Sequence, residues 1–173
     1  TEELEAAADR LREKEKIKAG VVTLRVFRPF PGAEITRLLK GNTAFTVLER
    51  NDQPLADDLP MALEIRSALS KAVENGSAPG EDVPHPAYDR YTRPADRPRV
   101  HTGVFGVGGR IPSFADLLAV FRNMTPAGER KRFFYTGAVF SPPDRRFPHL
   151  ESLRQRLDKD YPALDALSLA GAA

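Results

Sequence analysis

Apolar positions in the first sixteen residues recur at helical spacing. Leu4, Ala7, Ala8 and Leu11 fall three and four apart, the interval that lines one face of an α-helix. Glu2, Glu3 and Glu5 crowd the start, where negative charge suits the helix dipole. A helix is therefore predicted over 2–16, with Gly20 as its stop signal. The period then changes. Val21-Val22-Thr23-Leu24-Arg25-Val26-Phe27 is a β-branched, nearly continuous apolar run closed by Arg28-Pro29-Phe30-Pro31. Such a run predicts a strand buried on both faces, as in a parallel sheet. A helix over 32–40 follows, with Ile35, Leu38 and Leu39 expected inward, then a second buried strand over 44–48. Polar residues 49–54 come next, where α/β sheets place the loops of their carboxyl edge. Leu59, Leu63, Leu69 and Val73 mark a third helix over 59–74.

Residues 75–99 break this rhythm. They hold five prolines and two tyrosines and almost no aliphatic side chain, which predicts a long surface loop or linker that touches a partner. Beyond it, Val100 to Phe105 reads as a strand running into the glycine-rich Gly106-Val107-Gly108-Gly109-Arg110. A helix over 114–124 should start at Ser113, with Asp116 three residues on as in a capping box, and bury Leu117, Leu118, Val120 and Phe121. A strand over 132–140, a helix over 149–159 with Leu150, Leu153 and Leu157 in one stripe, and a fraying tail after Pro162 complete the chain. Helices alternating with apolar strands across short connections predict an α/β fold: a mostly parallel sheet flanked by helices. The expected division is a domain over 1–132, with 75–99 inserted as a loop, and a following domain or C-terminal extension over 133–173.

Composition narrows the chemistry. None of the 173 residues is Cys, so the chain can supply no disulfide, thiolate nucleophile or cysteine-ligated iron–sulfur cluster. No apolar run approaches the roughly 18 residues of a membrane span, and the charged N-terminus is no signal peptide, so no membrane contact and a cytoplasmic location are expected. A first residue other than Met leads us to expect a processed chain or a piece of a longer one. Lys and Arg number 26 against 24 Asp and Glu, a net charge of +2. Nucleic-acid binding would need that excess on one face, and the densest cluster, Arg130-Lys131-Arg132, reads as the solvated end of an element. No nucleic-acid partner is expected.

Candidate chemistry is sparse. Gly106, Gly108, Gly109 and Arg110 before a helix could cradle an anion through backbone amides and an arginine clamp, as for a phosphate of coenzyme A or a nucleotide. The spacing matches neither the dinucleotide fingerprint nor the P-loop, and positive backbone angles explain the glycines equally well. His85, His101 and His149 lie in three different elements, without metal-ligand spacing. Ser141, Asp144 and His149 offer triad residue types without the strand–turn–helix that exposes a nucleophile. Asp57-Asp58 is explained by the start of the adjacent helix. No catalytic residue and no metal ligand is therefore assigned. Arg28 and Phe30 at a strand end, Arg50 in the next loop, and Tyr88 and Tyr91 in 75–99 are interface candidates, because arginine and aromatic residues are enriched at interfaces. Arg90, Arg93, Arg97 and Arg99 would accompany the tyrosines if this segment served a non-catalytic binding module.

Five stretches, in order over about 20–137, resemble one family. Gly20 to Pro31 resembles the entry to the second domain of the pyruvate and 2-oxoacid:ferredoxin oxidoreductases. Val47 to Pro54 resembles that family's next strand and loop, Leu63 to Leu69 its following helix, Phe105 to Arg110 and Asp116 to Met124 its glycine-rich turn and helix, and Arg132 to Gly137 the strand leading onward. The resemblance implies a fold similar to the C-terminal domain of transketolase, and oxidative decarboxylation of a 2-oxoacid to acyl-CoA with electrons passing to ferredoxin. It implies thiamine diphosphate, Mg and 4Fe-4S clusters held by partner domains or subunits, none in this chain, and so a scaffolding role for a chain inactive alone. It also implies that one sheet strand ahead of the first helix comes from an adjacent piece of the enzyme. A stand-alone enzyme binding phosphate or CoA at Gly106–Arg110 is the alternative.

Overall fold

The computed structural model describes residues 1–53, 55–137, 148–160 and 167–169. Its fold is α/β: a parallel sheet of four strands in the order β1-β2-β3-β4, with helices flanking it. The chain gathers into two compact units, Thr1–Val21 with Gly103–Ala173, and Val22–Thr102. This division by compactness runs elsewhere than the 132/133 boundary expected above.

In the first unit, α1 (Glu2–Arg10) continues into a π-helical turn, Leu11–Glu15, that ends at Lys16 in the left-handed region. Ala7, Ala8 and Leu11 are buried against Leu117, Leu118 and Phe121 of α4 (Phe114–Asn123). Burying such side chains is worth about 1.5–3 kcal/mol each for Leu and Phe, which is why this apolar face, rather than helix propensity, holds the pair together. α4 begins as its sequence dictates. The Ser113 hydroxyl accepts from the Asp116 amide, and an Asp116 carboxylate oxygen accepts from the Ser113 amide and hydroxyl, both at 2.8 Å. β3 (Phe133–Thr136) pairs in parallel with β4 (Ser168–Leu169). The tail expected to fray therefore carries a strand, anchored by the Tyr135 amide donating to the Leu167 carbonyl at 2.8 Å. α5 spans Pro148–Asp160. Of its expected stripe, Leu153 is exposed, and the side chains of Leu150 and Leu157 lie outside the described residues, as do 138–147.

In the second unit, α2 (Gly32–Leu39) packs on α3 (Pro60–Ser77), beside β1 (Ala44–Glu49). The contact face of α3 is small: Ala62, Ile65, Ala68 and Ala72 are buried, whereas Leu63 is exposed. Leu38, expected inward, is likewise exposed. Close approach explains the inversion. A Cβ added at Gly32 would lie 3.2 Å from the Ala68 Cβ, so the helices meet across small residues and their large ones turn outward. The strand predicted over 21–27 is not formed: the segment joins no ladder, and Val22, Val26 and Phe27 are exposed. Apolar β-branched composition favours a strand, but a buried strand also needs neighbours on both edges, and the described residues supply none.

Residues 78–98 are no free surface loop. Asn75, fully buried at the end of α3, donates to the carbonyls of His85 (2.8 Å) and Tyr88 (2.9 Å) and accepts from the His85 amide (3.0 Å). Arg90 donates to the carbonyls of Asn75, Ala78 and Gly80 at 2.8–3.1 Å, satisfying the helix end. Tyr91 is buried, its hydroxyl donating to the Thr36 carbonyl at 2.5 Å, and burial pushes its pKa up to about 12. Asp96, also buried, accepts from the amides of Thr92 and Arg93, both at 3.1 Å, and from the Arg93 guanidinium. From this turn the chain enters β2 (Arg99–Phe105), which starts with the Arg99 amide donating to the Thr43 carbonyl.

Two predictions follow from this stapling. A Cβ at Gly76 would lie 2.0 Å from the Tyr91 carbonyl oxygen, so Gly76→Ala should cost about 1–3 kcal/mol, read as a lower denaturation midpoint at unchanged m-value. Hydrogen bonds from the Arg93 side chain hold the Asp96 carboxyl below its ordinary value of 3.8. A depressed folded-state pKa gives stability present above that value and lost as pH falls from it through the folded pKa. Asp96→Asn should therefore lower the melting temperature at pH 7, with the gap to wild type closing as thermal melts are taken into strong acid.

Candidate interaction surface

The starts of α3 and α4 already hold the chain's own carboxylates. α3 has no hydroxyl or amide cap, since Leu59 precedes Pro60 at its first position. Glu49, at the end of β1, takes over: its two oxygens accept from the Met61 amide at 3.1 and 3.0 Å, and one accepts from the Ala62 amide at 3.0 Å. Asp58 completes this end. It is buried, accepts from the Leu59 amide (3.0 Å) and the Thr102 hydroxyl (2.7 Å), and pairs with Arg66. Sequence reasoning credited Asp58 with a helix-start role and missed Glu49. The available signal was a glutamate ending a strand before a helix that lacks its own cap. Its partners at 61 and 62 lie too far along the chain for local spacing to reveal them.

The glycine-rich turn is built but not aimed at an anion. Gly106, Gly108 and Gly109 all have positive φ, 75°, 64° and 77°, where a side chain is strained. The Gly109 and Arg110 amides donate back to the carbonyls of Gly106 (3.1 Å) and Val107 (3.3 Å), so two donors of the supposed cradle are used internally. The start of α4 beyond it carries Asp116, whose negative charge opposes a phosphate there. Arg110 itself is exposed.

The interface candidates separate. Arg28 stacks 4.2 Å over the Phe27 ring and reaches Glu64 on α3 at 2.7 Å. Phe27 meets Phe30 edge-to-face at 6.1 Å between centroids. This arginine–aromatic group lies on the exposed arm 22–30, with Phe30 half-buried. Arg50 is exposed in the loop after β1. Tyr88 is half-buried near Gly32, with Lys71 over its ring and His85 at its edge. Tyr91 is interior, so its aromatic surface is spent on packing and is withdrawn from any interface. His85 bonds Glu74 at 2.8 Å, which lowers the Glu74 pKa. His101 is buried in β2, and His149 lies on α5. Ser141 and Asp144 lie outside the described residues.

These residues do not fit thiamine diphosphate or its Mg ion. The diphosphate needs free amides and positive charge, whereas the starts of α3 and α4 carry Glu49, Asp58 and Asp116. Among the described residues no three His, Asp or Glu side chains group to hold a metal. A 4Fe-4S cluster needs thiolates, and the sequence has none. Among the described residues, no helix is long and apolar enough to cross a membrane.

Comparison with known proteins places the fold. Residues 1–85 match the family model described as pyruvate:ferredoxin oxidoreductase core domain II. Over 117 residues, 67% of this chain, the sequence is 30% identical to the probable pyruvate-flavodoxin oxidoreductase of Escherichia coli (strain K12), and the chain spans 9% of that protein's length. β1, α3 and the Glu49 contact that joins them lie within residues 1–85, and on that match together with this relative the chain belongs to the pyruvate:ferredoxin oxidoreductase family, through its core domain II.

Proposed function

We propose that this chain is a scaffolding domain or subunit of a thiamine-diphosphate-dependent 2-oxoacid oxidoreductase. That enzyme would decarboxylate a 2-oxoacid to acyl-CoA and pass electrons to a ferredoxin- or flavodoxin-type acceptor. The observation that carries the reading is the match of residues 1–85 to core domain II. The donor set agrees with it. Carboxylates fill the starts of α3 and α4, and a chain without Cys cannot ligate a cluster through thiolates. The chain's own contribution is then mechanical. Its stapled second unit holds Arg28 and Arg50 at the surface with Phe30 half-buried, and its partners are the other domains or subunits of the enzyme, which hold the cofactors and receive ferredoxin and CoA. A cytoplasmic location fits this role.

The reading predicts that the 173-residue chain binds neither thiamine diphosphate nor CoA in calorimetric titration and oxidises no pyruvate. It also predicts that the rest of the enzyme, prepared without these residues, loses 2-oxoacid oxidation and regains it when the chain is added. Saturable thiamine diphosphate binding to the chain alone, or full activity without it, would overturn the proposal.

A further inference from the structure

Of the asparagines in the chain, Asn42, Asn51, Asn75 and Asn123, only Asn75 is followed by glycine. In an unstructured peptide an Asn-Gly pair is especially prone to deamidation, because no side chain shields the glycine nitrogen as it attacks the asparagine amide. The packing of the second unit imposes both residues. A Cβ at Gly76 would lie 2.0 Å from the Tyr91 carbonyl oxygen, so nothing larger than glycine fits after Asn75. The Asn75 side chain is fully buried. Its Nδ2 donates to the carbonyls of His85 at 2.8 Å, Tyr88 at 2.9 Å and Asp89 at 3.4 Å, and its Oδ1 accepts from the His85 amide at 3.0 Å. A reactive pair therefore sits at the joint where the segment 78–91 meets α3. Two features keep it unreactive. Both residues are held in α3, and ring closure needs a ψ outside the helical range. The amide carbon open to attack is also fixed through both of its polar atoms. Neither protection belongs to α3 alone: Asn75 and Gly76 lie in its last turn, where an unsupported helix frays, and the support comes from residues 85–91. Arg90 adds to it by donating to the carbonyls of Asn75 at 3.1 Å, Ala78 at 2.8 Å and Gly80 at 2.9 Å.

We infer that Asn75-Gly76 is a deamidation site gated by the fold, silent while the segment 78–91 is docked and converted irreversibly once that segment lifts away. The Gly76 nitrogen then attacks Asn75 Cγ. The new N–Cγ bond forms as Cγ–Nδ2 breaks, and Nδ2 leaves as ammonia carrying the Gly76 amide proton. Water opens the resulting imide to an aspartyl or isoaspartyl residue, with no oxidant or cofactor required. The product cannot redock. A carboxylate donates no hydrogen bond, and its oxygens would face the carbonyls of His85, Tyr88 and Asp89 in a buried site where an unpaired charge is strongly disfavoured. The Arg90 guanidinium beside it is already committed to three carbonyls. The isoaspartyl product adds a methylene to the main chain within the last turn of α3 and breaks its register. A reversible opening is thereby made permanent, in the part of the unit that carries the chain from α3 to β2.

Peptide mass spectrometry on the 173-residue chain, held in mildly alkaline buffer with and without guanidinium chloride, tests it. Asn51, exposed in the loop after β1, is the internal reference. The rate at Asn75 relative to Asn51 should rise by about 10-fold or more on unfolding, as expected when reaction requires opening of a docked segment. In native buffer it should rise in Arg90→Ala as well. After the denaturant is removed, unconverted chains should resist trypsin at Arg90, whereas converted chains and Asn75→Asp should remain cleavable there. The gating is read on the wild-type chain and does not depend on either variant folding. Equal relative rates at Asn75 with and without denaturant would overturn the inference. So would converted chains, or an Asn75→Asp chain, as resistant at Arg90 as the wild type.

Discussion

Three carboxylates on backbone amides decide what this fold is able to do. Glu49 accepts from the first free amides of α3, Asp58 accepts at the residue before that helix, and Asp116 closes the start of α4. Each satisfies donors that the helix cannot bond itself, and each places negative charge where the helix dipole favours it. A helix start can hold one anion, and here the chain has supplied its own. The starts of α3 and α4 are thereby closed to a phosphate.

The same economy shapes the proline-rich stretch between α3 and β2. With few aliphatic side chains to bury, it is held by polar groups: the Asn75 amide, the Arg90 guanidinium and the Tyr91 hydroxyl, all on main-chain oxygens. Buried polar groups are costly unless bonded, so this arrangement tolerates little change, and it delivers the chain to the start of β2 in register. What could have been a flexible insertion is part of the frame that positions the strand leading to the glycine-rich turn.

Features set by neighbouring residues were legible in the sequence. The spacing of Ser113 and Asp116, the apolar face of α4 and the acidic first turn of α1 all appear where the residues place them. Features set by tertiary contact were not. Leu38 and Leu63 have the right period for a core, but Gly32 and Ala68 bring α2 and α3 too close for large side chains between them. The run Val21–Phe27 has the composition of a central strand and, among the described residues, lacks the neighbours that would make it one. Tyr91 looked like an interface aromatic because its burial depends on Thr36, 55 residues earlier. β4 is only Ser168 and Leu169, too short to carry a periodic signal. Family resemblance, by contrast, is read over many residues at once, here about 20–137, and it survived these local errors.

The most direct test of this account is the response of the Met61, Ala62 and Asp116 amides to inorganic pyrophosphate, followed by two-dimensional amide NMR on the 173-residue chain. If the chain's own carboxylates close the helix starts, these resonances stay in place at millimolar pyrophosphate in the wild type and move in a Glu49→Ala variant at Met61 and Ala62. Saturable shifts of the same amides in the wild type would show an open anion site and contradict the account.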